Sequence, residues 1–225
     1  MRKPIIAIDG FSSTGKSSIS KLVADRLELI HVDTGALYRG VTYFALNNFA
    51  TKDNFIDLPS LFLNLDKINL EFRQENGALS LYLNNKNIDS EIRKAAISDN
   101  VSLIAKQKEI RDFLLKLQQN FGEKGGIIVD GRDIATVIFP NADFKFFLTA
   151  TKEERAKRRY LELISLGFEI TIEEVLQNLI KRDKIDSERE IAPLKKADDA
   201  MLIDNTNLTK EETVALICSI IIKKK

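Results

Sequence analysis

Five short apolar runs rich in β-branched residues recur along the chain: IIAID (5–9), LIHVD (29–33), GIIVD (126–130), FKFFLT (144–149) and AMLID (200–204). Near-continuous apolar runs of this length, separated by helix-period stretches, predict strands buried on both faces in a parallel sheet covered by helices. Three helix starts carry the capping-box spacing, with Thr151 before Glu154, Thr171 before Glu174 and Thr209 before Glu212. In such a box, side chain and backbone satisfy one another's orphan donors. Strands alternating with helices predict an α/β core with a doubly wound sheet. One stretch breaks the pattern. KINLEFRQENGALSLYLNNKNI (67–88) alternates apolar and polar residues around Glu-Asn-Gly, which predicts a hairpin or small antiparallel sheet inserted into the core. No internal repeat, low-complexity tract or long linker divides the chain.

The first apolar run enters GFSSTGKSS, Gly10 to Ser18, and the helical pattern SSISKLVADRL follows at once. Gly10, Gly15, Lys16 and Ser17 match G-x-x-x-x-G-K-[ST] in the strand-then-helix setting that this motif requires. Such a loop turns backbone N–H groups inward at a helix N-terminus, where the dipole also favours an anion. Phe11, Ser12, Ser13, Thr14 and Ser18 complete the phosphate-binding segment. Lys16 is expected on the β- and γ-phosphates, and the Ser17 hydroxyl is expected near a magnesium ion that bridges them, directly or through water. An ordinary strand–turn–helix corner uses similar residue types, but not this eight-position match.

Composition narrows the partners. The 225 residues are 44% hydrophobic, and 34 basic against 33 acidic side chains give a net charge of +1. No global field draws the chain to nucleic acid or to an anionic membrane, so anion sites must be local clusters. Cys218 is the only cysteine; it excludes an intramolecular disulfide and reads as core packing. Its apolar run is too short to span a bilayer, and the first strand begins too early to leave room for a secretion signal. A cytoplasmic monomer is the expectation.

A phosphate loop serves GTPases, ATPases and small-molecule kinases alike. Guanine recognition needs N/T-K-x-D after a strand, and NKNI and TKEE lack the aspartate. The chain instead places arginine beside carboxylate in DTGALYR (33–39), DGRDIAT (130–136), EERAKRR (153–159) and KRDKIDSER (181–189). Converging arginines can hold the phosphates of two nucleotides at once. Asp33 and Asp130 end predicted strands, and open parallel sheets bind ligands beyond those ends. Arg182, Asp186 and Arg189 are spaced to share one helical face. A kinase for another acceptor, such as UMP, AMP or a small alcohol, is the nearest alternative. A nucleotide-sensing module is a more distant one, since a second anion site would have no use there.

The phosphate loop, DTGALYR, the EIR after the β insertion, DGRDIATVIFP, TKEERAKRRY and RDKIDSEREIAPLKKADDAMLID, in that order, resemble the bacterial cytidylate kinases over essentially the whole chain. The resemblance implies one P-loop nucleoside monophosphate kinase domain over 1–225, with a five-stranded parallel sheet flanked by helices. It implies an acceptor-binding insertion at about 36–110, containing the β insertion at 64–94, and a short helical lid at about 153–170. The reaction implied is γ-phosphoryl transfer from ATP to CMP or dCMP with Mg2+. Position by position, Thr34, Ser102, Arg111 and Asp133 correspond to groups on the cytosine ring. Arg39, Arg132 and Arg189 correspond to arginines on the acceptor phosphate, and Arg182 and Asp186 to contacts near the ribose. Lys16, Arg132, Arg182 and Arg189, with Arg158 of the lid candidates Arg155, Arg158 and Arg159, are the expected catalytic set.

Phe11 stands where many relatives have Pro, Ser17 where many have Gly, and Ser18 where Thr is usual. Ser17 thereby regains the hydroxyl of the general motif. His31, the only histidine, lies in a run expected to be buried and is not expected to be a general base. A monophosphate with a second pKa near 6 is already mostly dianionic at pH 7.

Overall fold

The computed structural model describes residues 3–51, 55–75 and 78–223, and the chain divides into two compact units, Met1–Val32 with Phe121–Lys225, and Asp33–Asn120. The first unit is built on β1 (Ile5–Gly10), β2 (Ile30–Asp33), β6 (Ile127–Gly131), β7 (Phe144–Thr149) and β8 (Met201–Asp204), in the order β2-β6-β1-β7-β8. β1 pairs in parallel with β6 and β7, and β7 with β8. Helices α1 (Lys16–Leu27) and α8 (Lys210–Lys223) lie against each other and share one core with the sheet, in which Ile6, Ile8, Ile19, Val23, Phe146, Leu148, Val214 and Ile217 are fully enclosed. Cys218 is buried in this core as expected. The strand bounds agree with the apolar runs to within one residue.

β2 does not carry the burial its sequence predicts. Ile30 is 49% exposed and only Val32 is buried in β2, and in β8 likewise Leu202 is 56% exposed and only Ile203 is buried, because both are edge strands of the sheet. What covers an edge strand is decided elsewhere in the chain. The capping boxes at Thr171 and Thr209 close in both directions. At Thr151 only half forms: Glu154 N–H donates to Thr151 Oγ1, while the Glu154 carboxylate accepts from Arg158 Nε at 2.9 Å. The Thr151 N–H donates instead to Thr206 Oγ1.

In the second unit, α2 (Thr34–Asn48) packs on α4 (Ala95–Ala105) and α5 (Lys108–Asn120), after a short α3 (Leu58–Phe62). Its antiparallel sheet, β3 (Leu70–Glu75), β4 (Ala78–Leu83) and β5 (Lys86–Asn87), sits where the alternation predicts it. Leu70 faces Leu83 and Phe72 faces Leu81 across the first pair. The tip of that hairpin, Asn76 and Gly77, lies outside the described residues. The second hairpin turns on Asn84 and Asn85, both with positive φ, the conformation of a type I′ turn, for which asparagine is well suited.

α6 (Lys152–Ser165) and α7 (Ile172–Glu188) form a helical pair in the first unit, with Ala156, Leu163, Val175 and Leu179 between them.

Candidate active site

The carboxyl ends of β1 and β6 lie side by side, Asp9 opposite Gly131, in an open parallel sheet where ligand crevices form. From β1 the chain turns through Gly10, Ser13 and Gly15, all with positive φ. A Cβ at Gly10 would overlap the carbonyl oxygen of Leu148 on β7; only glycine fits there. Gly15 precedes α1 in a left-handed conformation and offers no side-chain cap, and the first turn of α1 holds no acidic residue. The helix dipole therefore opens toward the loop with its first N–H groups uncapped by side chains.

Two loop carbonyls are tied down by side chains from later in the sequence. Ser12 O accepts from Arg155 Nη1 at 3.2 Å, and Thr14 O from Asn205 Nδ2 at 2.9 Å. In a trans peptide the carbonyl and the next N–H point in opposite directions. Holding these two oxygens therefore aims the N–H groups of Ser13 and Gly15 the other way. Lys16 Nζ donates to Phe11 O at 2.9 Å and is 7% exposed. Arg155 lies over the Phe11 ring, which meets Phe147 edge-on at 5.8 Å.

Beside the loop, Asp130 of β6 is buried and bridges two partners. Its Oδ2 accepts from Ser17 Oγ at 2.6 Å, and its Oδ1 lies 2.6 Å from His31 Nε2. Burial would raise the Asp130 carboxyl, but the His31, Lys16 and Ser17 interactions outweigh it and hold the group below the usual carboxylate range. His31 is partly exposed, with its Nε2 engaged by this carboxylate, so it is not placed as a free base.

Asp9 accepts from Ile134 N–H and Ala135 N–H, each at 2.8 Å, one on each oxygen. These bonds fix the turn after DGRD, a single π-helical segment at Ile134–Ile138. Burial pushes the Asp9 carboxyl up to about 7, although both N–H groups and Lys16 lower it. A group that holds its proton more tightly when folded makes stability fall as pH rises from about 4 to about 7. Asp9→Asn removes that titration and turns an amide donor toward one of the two N–H groups. The variant is expected to be less stable at pH 4. Its deficit should narrow by up to about 4 kcal/mol toward pH 7, read by urea unfolding of both proteins across that range. A gap that widens with pH contradicts the assignment.

The structure brings Arg132, Arg182 and Arg189 together on one carboxylate. Asp186 is buried, which by itself would raise its pKa, yet Arg132, Arg182 and Arg189 together hold it below the usual range. Arg132 Nε donates to Asp186 Oδ2 at 3.0 Å. Arg189 donates through Nη2 to Asp133 Oδ1 at 3.1 Å and through Nε to Ala192 O at 2.6 Å. Three arginines against two carboxylates, Asp186 and Asp133, leave net positive charge for an anion.

In the second unit, Thr34 opens α2, which Asp33 caps by accepting from Ala36 N–H. Arg39 Nη1 donates to Ile92 O and Ser98 Oγ. The EIR turn thus contributes a carbonyl that orients Arg39, while its own Arg93 is exposed. Arg111 is buried, lies over the Tyr38 ring and donates to Ala105 O. Ser102, on α4, is buried.

The three lid candidates have three fates. Arg155 is 3% exposed, held by Ala150 O, Ser12 O and Asp183. Arg159 pairs with Glu162 along α6. Arg158 donates to Glu154, to Asn205 Oδ1 and to Asn205 O. It also lines a cavity of about 420 Å³ with Gly15, Ser18, Asn205, Asn207 and Lys210. Sequence reasoning did not single out Asn205, Asp9 or this cavity; their one signal was position, just past the end of a strand or before the loop.

Residues 6–223 match the family model described as cytidylate kinase. A cytidylate kinase of Flavobacterium johnsoniae is 46% identical over 223 residues, spanning 98% of this chain and 97% of its own. Cytidylate kinases of Clostridioides difficile and Bacillus cereus are 45% and 42% identical, each aligned over 96% of this chain and 96% and 95% of their own.

Proposed function

The chain belongs to the cytidylate kinase family, and from that premise we propose a division of labour among its residues in the transfer of the γ-phosphoryl group of ATP to CMP or dCMP. The loop from Gly10 to Ser18 holds the donor phosphates, with Lys16 on the transferred group. The donor base occupies the cavity beside Arg158 and Asn205, whose volume of about 420 Å³ suits a ligand of that size. Arg39, Arg132 and Arg189 hold the acceptor phosphate, with Arg182 and Asp186 next to the ribose. Thr34, Ser102, Arg111 and Asp133 read the cytosine ring.

The observation that carries this reading is the gathering of Arg132, Arg182 and Arg189 on Asp186 in the unit that also bears the phosphate loop. A single-nucleotide sensor has no need of that second cationic cluster. Chemistry then rests on positioning and charge neutralisation. The acceptor is its own nucleophile: a phosphate oxygen forms the new P–O bond as the bond from the γ-phosphorus to the bridging oxygen breaks, and ADP leaves with that electron pair.

Magnesium fits the residues present. Ser17 Oγ donates its hydrogen bond to buried Asp130, which leaves hydroxyl lone pairs for a cation, directly or through water. When bound, the ion would neutralise charge on the β- and γ-phosphates. Among the described residues no cluster of three or more acidic, His or Cys side chains is placed to hold a metal, so the nucleotide would supply most of its ligands. Cytoplasm is the compartment we assign. Among the described residues no helix is long and apolar enough to cross a membrane.

The test is ADP release with a panel of monophosphates. CMP and dCMP are expected to support turnover well above UMP and AMP. Equal turnover with UMP, or none with any, defeats the base assignment or the catalytic reading in turn.

A further inference from the structure

We propose that Arg155 is a positioning residue that sets the spacing between the donor-phosphate loop and the acceptor-phosphate arginines. The inference rests on the reading that the loop and the Arg132–Arg182–Arg189 cluster hold the two phosphate chains. Arg155 belongs to neither set. It sits at the start of α6, almost wholly buried, and one nitrogen serves both sides: Nη1 donates to Ser12 O at 3.2 Å and to Asp183 Oδ2 at 2.7 Å. Nε is fixed on Ala150 O at 3.1 Å, so the guanidinium cannot rotate without losing a bond. Its plane is further restrained by Phe11, whose ring centroid lies 5.2 Å away.

Each acceptor leads to a different half of the chemistry. Ser12 O shares its peptide with the Ser13 N–H that faces the donor phosphates. Asp183 lies on α7 directly after Arg182 and on the helix that carries Asp186 and leads into Arg189. Asp183 Oδ1 has no hydrogen-bond partner among the described residues, and this buried carboxylate pairs through Oδ2 with Arg155. Because Nε is anchored on Ala150 O, the rigid guanidinium plane holds Nη1 at one point between the loop carbonyl and the helix carboxylate and so fixes their separation; a flexible ammonium has no such second anchor. Phosphoryl transfer between two held nucleotides is sensitive to that distance, since a displacement of about 1 Å can cost about 10²-fold in rate.

The test compares the unsubstituted protein with Arg155→Lys and with the double variant Arg155→Met/Asp183→Leu, which removes the carboxylate that would otherwise lie unpaired. Three ligands are titrated by calorimetry: ATP alone, CMP alone, and a dinucleoside pentaphosphate carrying adenosine at one end and cytidine at the other. In both variants Kd for CMP should stay within about threefold, while Kd for ATP, whose Ser13 N–H contact Arg155 orients through Ser12 O, should rise by less than about tenfold. The pentaphosphate should bind about 30-fold more weakly and kcat should fall by a similar factor, because only these need both phosphate sites in register. Should one variant fail to fold, the other gives the same readout. Pentaphosphate affinity and kcat within threefold of the parent overturn the proposal. So does a loss of ATP or CMP binding as large as that of the pentaphosphate, which would mark a local or folding role. If the unsubstituted protein binds neither ATP nor CMP, the phosphate-site reading itself falls.

Discussion

Lys16→Ala is expected to leave a folded protein whose kcat is lowered by roughly 10²-fold or more, with a smaller change in KM for CMP. Lys16 is the first residue of α1 and lies next to the uncapped helix start. Its charge reaches both buried carboxylates of the site, lowering Asp9 and Asp130 alike. Nζ donates to Phe11 O at 2.9 Å. That carbonyl also accepts from Thr14 Oγ1 at 3.1 Å, so the loop keeps a bond when the lysine is truncated. A loose transition state spreads charge over the transferring phosphoryl oxygens, and a preorganised ammonium stabilises it more than the ground state. Steady-state kinetics alongside a thermal melt separate this from unfolding. A folded variant with near-normal kcat would remove the phosphate-loop role from Lys16.

Most of the parallel core was legible because its signals are local. An apolar run of five residues entering G-x-x-x-x-G-K-S specifies strand, loop and helix in succession, and the structure places all three there, as β1 (Ile5–Gly10), the loop and α1 (Lys16–Leu27). What the sequence could not show depends on depth and on distant partners. Arg155, Arg158 and Arg159 have helical spacings of three and four and look alike as text. One is buried against the loop, one borders a cavity and one pairs with Glu162 on the same helix. Burial of LIHVD failed for the same reason, since an edge position is a property of strand order. The His31–Asp130 contact joins residues 99 apart in sequence, and neither neighbourhood hints at the other. Asn205 likewise has no motif, yet it holds a phosphate-loop carbonyl 191 positions away. The residues assigned to the cytosine ring came from family resemblance, not from spacing, and they are the part that mutation must test.

Among them Asp133 makes the sharpest case. Cytosine presents an exocyclic amine where uracil presents a carbonyl, so a carboxylate at that edge favours CMP and opposes UMP. Asp133 is 4% exposed, and its Oδ1 accepts from Arg189 Nη2 at 3.1 Å. On the proposed reading the other oxygen takes the cytosine amine, so one side chain serves both base and acceptor phosphate. Two substitutions separate these duties. In Asp133→Asn the amide oxygen can keep the Arg189 contact while the NH₂ faces the base, repelling cytosine and donating to uracil. The ratio of kcat/KM for CMP over UMP should fall by about 30-fold, which is about 2 kcal/mol of transition-state discrimination. In Asp133→Ala both contacts go, and buried Arg189 loses one of its carboxylate partners, a change worth about 2–5 kcal/mol. Both substrates should then suffer, CMP more than UMP. The decisive measurement is the Asn variant. If it lowers CMP and UMP turnover equally, Asp133 acts through Arg189 alone, and the choice of base must be assigned to Thr34, Ser102 or Arg111.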